Sequence, residues 1–173
     1  VPLVADMSSD IFSRPLDYSK FDHFYAGAQK NMGPSGVTLV IIKETAFNKV
    51  TRSIPSMLNY EIQASAGSMF NTPPVFPVYT VLLNLRWILK NGGLSGMGIQ
   101  NEKKAAIIYD EIDRNPLFEG FANLDDRSAM NATFNLVDDS SAAIFDTIWN
   151  NAKISGLKAV SYTHLRAHET VDY

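Results

Sequence analysis

Short apolar runs that end in polar residues recur in the first part of the chain. Residues 1–5 and 23–28 form two such runs, and their pattern is typical of central parallel strands that are buried on both faces. Residues 37–42 form a third run, rich in β-branched side chains, directly after the Gly/Pro turn at residues 33–36. So short a connection cannot hold a crossover helix, so the third strand is predicted to run antiparallel to the second.

Helical periodicity follows further along the chain. Residues 73–90 are predicted to form a long helix that ends at a Gly-rich turn, residues 91–93. Its predicted apolar face is Val78, Leu82, Leu85 and Leu89. A second helix is predicted from about residue 98 to 112, with an apolar face of Ala105, Ile108 and Ile112. A strand over residues 130–136 and a helix over residues 140–152 complete an α/β pattern, in which Trp87 and Trp149 are expected to lie in the core.

Composition narrows the classes of function. The chain has 173 residues, a net charge of −3 and no cysteine. Nucleic acid is therefore an unexpected partner, since no basic cluster is present, and disulfides and thiolate metal sites are excluded. The lack of cysteine fits a reducing compartment. The apolar stretch at residues 75–89 is interrupted by Asn84 and Arg86, so it is too short and too polar to span a membrane.

The strongest chemical signal is an acid and an amine at the ends of the first two predicted strands. Asp6 follows the first strand, and Lys30 follows the second, directly before the Gly33–Pro34 turn. A lysine in that position is predicted to be partly desolvated, which favours a neutral amine that attacks carbonyls. This pair suits pyridoxal phosphate (PLP), because a lysine holds the cofactor aldehyde covalently and a carboxylate keeps the pyridine nitrogen protonated.

Six motifs in order extend this signal along residues 1–159. They are VADMSSDI (4–11), SRPLD (13–17), YAGAQKNMGPSG (25–36), IPSMLNY (54–60), AGSMFNTPP (66–74) and DRSAMNATF (126–134). Together they resemble the phosphoserine aminotransferases, class V members of the PLP-dependent aminotransferase family. The resemblance implies an α/β fold of type I. Residues 1–90 would be the second half of the large PLP-binding domain, and residues 91–159 the start of the small α+β C-terminal domain.

The activity implied by the resemblance is PLP-dependent transamination in serine biosynthesis. L-glutamate would donate its amino group to 3-phosphohydroxypyruvate, giving 2-oxoglutarate and O-phospho-L-serine; some members also act on 4-phosphohydroxythreonine in pyridoxine biosynthesis. The enzyme would be a cytoplasmic homodimer with cofactor sites shared across the interface. Another class V enzyme, of the serine–glyoxylate aminotransferase or cysteine desulfurase type, is one alternative, although desulfurases typically carry His before the lysine and a mobile cysteine, where this chain has Gln29 and no cysteine. A non-catalytic fragment is the other.

The resemblance also assigns roles to individual residues. Lys30 would be the catalytic lysine, Asp6 the partner of the pyridine nitrogen, and Gln29 a contact to the cofactor phosphate. Asn71 and Thr72 would reach the cofactor of the neighbouring subunit. Each has a plainer interpretation: Asp6 could cap the turn that follows it, Gln29 could be a polar residue alternating out of the strand, and Asn71 and Thr72 could cap the helix.

Other polar residues are assigned structural roles. His23, at the start of the second strand, is expected to be part of the scaffold. Arg127 is expected to pair locally with Asp125 or Asp126 and not to clamp a substrate.

The two ends of the chain suggest a fragment. Val1 is not an initiator methionine, and the family's N-terminal βα units and C-terminal substrate arginine are expected to lie outside this chain. Residues 160–173 resemble a translated sequencing adapter and are excluded from the fold prediction. His164 and His168 stand four residues apart within that tail, so they are not interpreted as a metal pair, and no metal site is expected. The fragment alone is expected to be inactive.

Overall fold

The computed structural model describes residues 1–47, 49–138 and 147. Its first sheet has three strands in the order β1 (Val4–Asp6), β2 (His23–Gly27) and β3 (Thr38–Ile42). β1 and β2 are parallel, and β2 and β3 are antiparallel. The structure therefore confirms the three predicted strands and both predicted directions.

The alternation of side chains along β2 sorts its residues onto two faces. Phe24 and Ala26 are buried on one face, whereas His23 and Tyr25 lie on the opposite face, which is more exposed. The buried face packs on the segments that follow β1 and β2. The buried apolar cluster comprises Met7, Ile11, Phe24, Ala26, Ala28 and Met32. This cluster anchors the carboxyl ends of β1 and β2, where Asp6 and Lys30 lie.

Helix α2 (Val75–Lys90) packs on the turn that follows β2. The Asn84 side chain donates hydrogen bonds to the carbonyl oxygens of Asn31 (3.3 Å) and Met32 (2.8 Å). A Cβ atom built on Gly33 would lie 3.2 Å from Val81, so the helix approaches the backbone of the turn closely. The helix ends at Lys90 with Asn91 as its C-cap, and Gly92 adopts a φ of +91°, which confirms the predicted stop at the Gly-rich turn.

The predicted apolar face of α2 is not the face that packs on the described residues. Val78, Leu82 and Leu89 are exposed, and Leu89 is 75% exposed. The buried residue of the helix is Ile88. The reason is that α2 contacts the rest of the chain through a stripe at residues 81, 84 and 88, and this stripe contains the polar Asn84. Trp87 was expected to lie in the core, but it is 51% exposed and does not.

Helix α3 (Gly93–Arg114) begins five residues before the predicted start near residue 98. Its first turns pack against the loop between β1 and β2: the Asn101 side chain donates to the carbonyl of Ser13 at 3.0 Å, and Gly98 lies against Arg14. Ile112 is buried as predicted, whereas Ile108 is 48% exposed. Ile108, although predicted on the apolar face, is therefore not buried against the described residues.

A second sheet pairs β4 (Phe118–Gly120) with β5 (Phe134–Leu136) in antiparallel fashion. β5 falls within the strand predicted at residues 130–136, while β4 and the short helix α1 (Tyr60–Ser65) were not predicted. None of the helices in the described ranges is long and apolar enough to cross a membrane. The helix predicted at residues 140–152, together with Trp149, His164, His168 and the tail, lies outside the described residues, apart from Thr147.

Arg127 joins the second sheet to α3. Its guanidinium makes two hydrogen bonds to the Asp113 carboxylate, at 2.7 and 2.6 Å, and stacks over the Tyr109 ring at 4.6 Å. The predicted local pairing with Asp125 or Asp126 is therefore wrong. Each terminal nitrogen of the Arg127 guanidinium donates to one oxygen of the Asp113 carboxylate. Such a two-point contact is stronger than a single hydrogen bond between the same charges.

Candidate active site

The carboxyl ends of β1 and β2 bring the predicted acid and amine to one edge of the first sheet. Asp6 is the last residue of β1 and is paired in register with Tyr25 of β2. Lys30 lies in the turn directly after β2. The two strands are parallel, so both residues leave the sheet at the same end, where α/β proteins commonly place ligands.

The Asp6 carboxylate is held by the residue two positions further along the chain. The Ser8 hydroxyl donates to Asp6 Oδ1 at 2.6 Å, and the Ser8 backbone N–H donates to the same oxygen at 2.9 Å. The plainer interpretation of Asp6 as a turn cap is therefore correct as geometry. It is compatible with a cofactor role, because the cap fixes the direction of the carboxylate.

The surroundings of Asp6 favour its charged form. Burial raises the pKa of this carboxyl, but the Ser8 hydroxyl, the Ser8 N–H, the Tyr25 hydroxyl and the positive charge of Lys30 outweigh burial and hold the pKa below its ordinary value. The charge of Asp6, together with burial and the hydrogen bond, in turn raises the pKa of Tyr25. Asp6 is therefore an ionised carboxylate at neutral pH, close enough to Lys30 to feel its charge.

Lys30 is exposed, so its predicted partial desolvation is not observed in this chain. The strand ends at Gly27, and Lys30 follows in the turn beyond the buried cluster, where it is accessible from solvent. Its effect on Asp6 still shows that the structure brings the two charges together.

Gln29 lies beside this pair. Its side chain is exposed and folds back on the preceding strand end: a Cβ atom built on Gly27 would lie 2.5 Å from Gln29 Oε1. The cluster thus holds an ionised carboxylate, an amine and an amide at one edge. This set of groups fits PLP, which presents a ring nitrogen, an aldehyde and a phosphate.

Asn71 and Thr72 lie in an exposed segment before α2. The Asn71 side chain donates to the Thr72 carbonyl at 3.2 Å. The N-cap of α2 is Pro74, without a side-chain hydrogen bond, so the plainer interpretation of Asn71 and Thr72 as helix caps is wrong. Within residues 1–47 and 49–138, no hydrogen bond joins either residue to Asp6, Gln29 or Lys30. Their role toward a neighbouring subunit stays a prediction.

Sequence reasoning missed two members of the cluster, Ser8 and Tyr25. Each could have been found from spacing: Ser8 stands two residues after an aspartate, which is the spacing of an Asx turn, and Tyr25 shares the exposed face of β2. His23 lies on that face too, with its ring 6.1 Å from the Tyr25 ring and 5.4 Å from the Tyr60 ring. These contacts are consistent with the scaffold role predicted for His23.

The chain is similar to proteins of one family. The family model described as aminotransferase class-V matches residues 1–169. A phosphoserine aminotransferase of Flavobacterium psychrophilum is 59% identical over 157 residues, which are 91% of this chain and 44% of that protein. The chain therefore spans less than half the length of such a curated relative.

Solved structures agree with the sequence relatives. The chain superposes on phosphoserine aminotransferase from Bacillus circulans subsp. alkalophilus with a TM-score of 0.82 and 45% identity, over 91% of this chain and 44% of that one. It also matches a PLP-bound phosphoserine aminotransferase from Trichomonas vaginalis, with a TM-score of 0.74 and 38% identity, over 78% of this chain and 40% of that one. The predicted fold, part of a PLP-dependent aminotransferase, is confirmed.

Proposed function

This chain belongs to the class V aminotransferases, and on that premise we propose that the protein it comes from is a phosphoserine aminotransferase. The whole protein transfers the amino group of L-glutamate to 3-phosphohydroxypyruvate, giving 2-oxoglutarate and O-phospho-L-serine, with PLP as cofactor. The observation that carries the proposal is the ionised Asp6 beside Lys30 at the carboxyl ends of two neighbouring parallel strands. The choice of substrates is supported by the 59% identity to a phosphoserine aminotransferase.

Each residue of the cluster has a defined task in this reaction. PLP supplies an electron sink for the carbanion that forms when the substrate Cα loses its proton. Asp6, held charged by its hydrogen bonds, would keep the pyridine nitrogen protonated. Lys30 would hold the cofactor through its aldehyde carbon, with release of water, and its free amine would take and return the substrate Cα proton. Gln29 would donate its amide N–H to the cofactor phosphate.

The proposal includes a shared site and a domain division. Asn71 and Thr72 would reach the cofactor of the neighbouring subunit of a homodimer, which is supported by their exposure in this chain. Residues 1–90 form part of the large domain and residues 91–159 begin the small one, with residues 160–173 as a non-native tail. The dimer works in the cytoplasm.

The assignment of Lys30 is tested in the full-length protein. Borohydride reduction in the presence of PLP, followed by peptide mapping, is expected to place the phosphopyridoxyl label on Lys30. Lys20 and Lys43 are internal references, because both are surface lysines in ion pairs, with Asp17 and Asp22. A label on Lys20 or Lys43 contradicts the assignment.

The reaction itself is tested by kinetics. The protein is expected to transaminate L-glutamate with 3-phosphohydroxypyruvate faster than serine with glyoxylate; the reverse preference contradicts the proposed substrates. Lys30→Arg is expected to lower kcat by about 10²–10⁴-fold, the range for loss of a positioned acid–base group. Lys43→Arg is the matched control, since it keeps a cation beside Asp22 far from the reaction.

A further inference from the structure

Ser8 connects the two halves of the candidate active site. It is 6% exposed, and it makes hydrogen bonds with Asp6 at the end of β1, with Gly27 at the end of β2 and with Asn31 in the turn that follows. We propose that Ser8 is a positioning residue that sets the Asp6 carboxylate and the Lys30 turn in their mutual arrangement. This inference rests on the proposed function, because that function gives the arrangement its purpose.

The direction of each hydrogen bond is determined by the donors and acceptors present. The Gly27 backbone N–H can only donate, and it lies 2.9 Å from the Ser8 hydroxyl oxygen, which must accept. The single proton of the hydroxyl is then directed to Asp6 Oδ1, at 2.6 Å. With the Ser8 N–H at 2.9 Å, this oxygen receives two donors, which stabilise the carboxylate over the neutral acid.

Ser8 also makes hydrogen bonds with residues on both sides of Lys30 in the sequence. Its hydroxyl accepts from Gly27, and its backbone carbonyl accepts from the Asn31 N–H at 3.3 Å. Gly27 and Asn31 lie on either side of Gln29 and Lys30 in the sequence. The turn that carries Lys30 is therefore attached to Ser8 at its beginning and at its end, and a shift of Ser8 would move both charged groups of the site.

The hydroxyl is one of several influences on Asp6. Tyr25 from β2 and Lys30 from the turn also lower the pKa of Asp6, while burial raises it. Both remain when the hydroxyl is removed. Removal of the hydroxyl is therefore expected to raise the Asp6 pKa, but only in part, because Tyr25 and Lys30 still lower it.

The inference is tested first in the full-length protein without cofactor. The Asp6 carboxyl is followed by ¹³C NMR across a pH titration, with its signal identified by its disappearance in Asp6→Asn. Ser8→Ala is expected to raise the titration midpoint, and Ser8→Thr, which keeps a hydroxyl, is expected to restore it toward the original. Ser9→Ala is the matched control, since Ser9 is exposed and its hydroxyl has no hydrogen bond within the described residues; it is expected to leave the midpoint unchanged.

A second test measures the kinetics of the protein with PLP bound. Ser8→Ala is expected to lower kcat by up to about 10²-fold, as for a small misplacement of reacting groups, with little change in the KM for L-glutamate. Ser8→Thr is expected to recover most of this loss. If Ser8→Ala does not fold, Ser8→Cys gives the same two readings with little change in volume, because a thiol is a weaker donor.

The outcomes separate the two proposals. An Asp6 midpoint that stays the same in folded Ser8→Ala or Ser8→Cys overturns the role of Ser8, whatever the activity. A loss of kcat that Ser8→Thr does not relieve also overturns it. A raised midpoint in a protein that does not transaminate L-glutamate supports the hold of Ser8 on Asp6 and contradicts the proposed function.

Discussion

The first sheet and helix α2 lie side by side, yet they bury their apolar residues to very different degrees. All six residues of the buried cluster lie between Met7 and Met32, in the segments that surround β1 and β2. Helix α2 has sixteen residues, of which Ile88 is the buried one. The carboxyl edge of the sheet is thus stabilised by its own neighbours in sequence, whereas α2 contacts the chain through one narrow stripe.

The exposed part of α2 is strongly apolar. Its exposed large side chains are Val75, Phe76, Val78, Tyr79, Leu82, Leu83, Trp87 and Leu89. An apolar surface of this extent on one helix usually marks a contact with other parts of a protein. Because the chain spans 44% of a curated relative, we expect this surface to be covered in the full-length protein. The site region thus has its own buried core, whereas α2 does not.

The largest effect is expected when the chain is expressed alone. Residues 1–173 are predicted to aggregate and to give no absorbance band of bound PLP, because the exposed face of α2 and the open edges of the sheet remain uncovered. The full-length protein, purified in parallel, is the control. Size-exclusion chromatography and a PLP titration measure both properties. A monodisperse chain that binds PLP stoichiometrically would show that the difference between the two regions has no consequence for folding.

A large effect on activity is expected from a change in the site region that leaves its core untouched. Asp6→Asn in the full-length protein is predicted to retain PLP but to lower kcat by about 10²–10³-fold, the range for loss of one electrostatic stabiliser. An amide does not balance the charge of a protonated pyridine nitrogen. Steady-state kinetics and the PLP content measure this. Asp10→Asn is the control, since Asp10 lies nearby in the sequence but pairs with Arg14. Near-normal turnover in Asp6→Asn would mean that Asp6 acts only as a turn cap.

Two adjacent residues of α2 test whether its exposed face is covered. Ile88 is 6% exposed and Leu89 is 75% exposed in this chain. In the full-length protein, both Ile88→Ala and Leu89→Ala are predicted to lower the free energy of unfolding by about 2–5 kcal/mol, as for buried aliphatic side chains. Urea unfolding measures both. A cost below about 0.5 kcal/mol for Leu89→Ala, typical of a surface change, would mean that this face stays open.

The smallest effect is expected at the ion pair that joins α3 to the second sheet. The hydrogen bonds and the charge of Arg127 outweigh the opposing effect of burial and hold the pKa of Asp113 below its ordinary value of 3.8. The stabilisation is therefore fully present above that ordinary value and is lost as the pH falls through the lowered one. Asp113→Asn is predicted to lower the stability slightly at pH 7 and to make it less dependent on pH below about 4.

This last prediction is checked by urea unfolding of the full-length protein across the acid range. Asp110→Asn on the same helix is the control, because Asp110 is exposed and no ion pair of the described residues includes it. An equal pH dependence in Asp113→Asn and in the unmodified protein would show that the pair does not stabilise the contact between α3 and β4.

Much of the fold near the site could be predicted from the chain alone. The three strands of the first sheet, the antiparallel direction of β3 and the end of α2 follow from apolar runs and from the chemistry of the Gly-rich turns. The proximity of Asp6 and Lys30 follows as well, because the ends of adjacent parallel strands meet at one edge. β4 and α1 were missed because each is short, with three and six residues, and short elements give little periodic signal.

Other features were decided only by tertiary structure. Hydrophobic periodicity ranks the faces of a helix by their apolar content, but the face that α2 turns to the chain is the one where Asn84 meets the carbonyls of Asn31 and Met32. Arg127 likewise pairs with Asp113, fourteen positions away, and not with its neighbours.

The sequence by itself determined the family, the three strands of the first sheet and the acid–amine pair. The tertiary structure decided the exposure of Lys30 and the hydrogen bond that Gly27 donates to the Ser8 hydroxyl. The physical reason is distance along the chain. Strand and turn preferences depend on a few consecutive residues, whereas the hydrogen bond from Gly27 to Ser8 joins residues nineteen positions apart and depends on how β2 lies against the segment after β1.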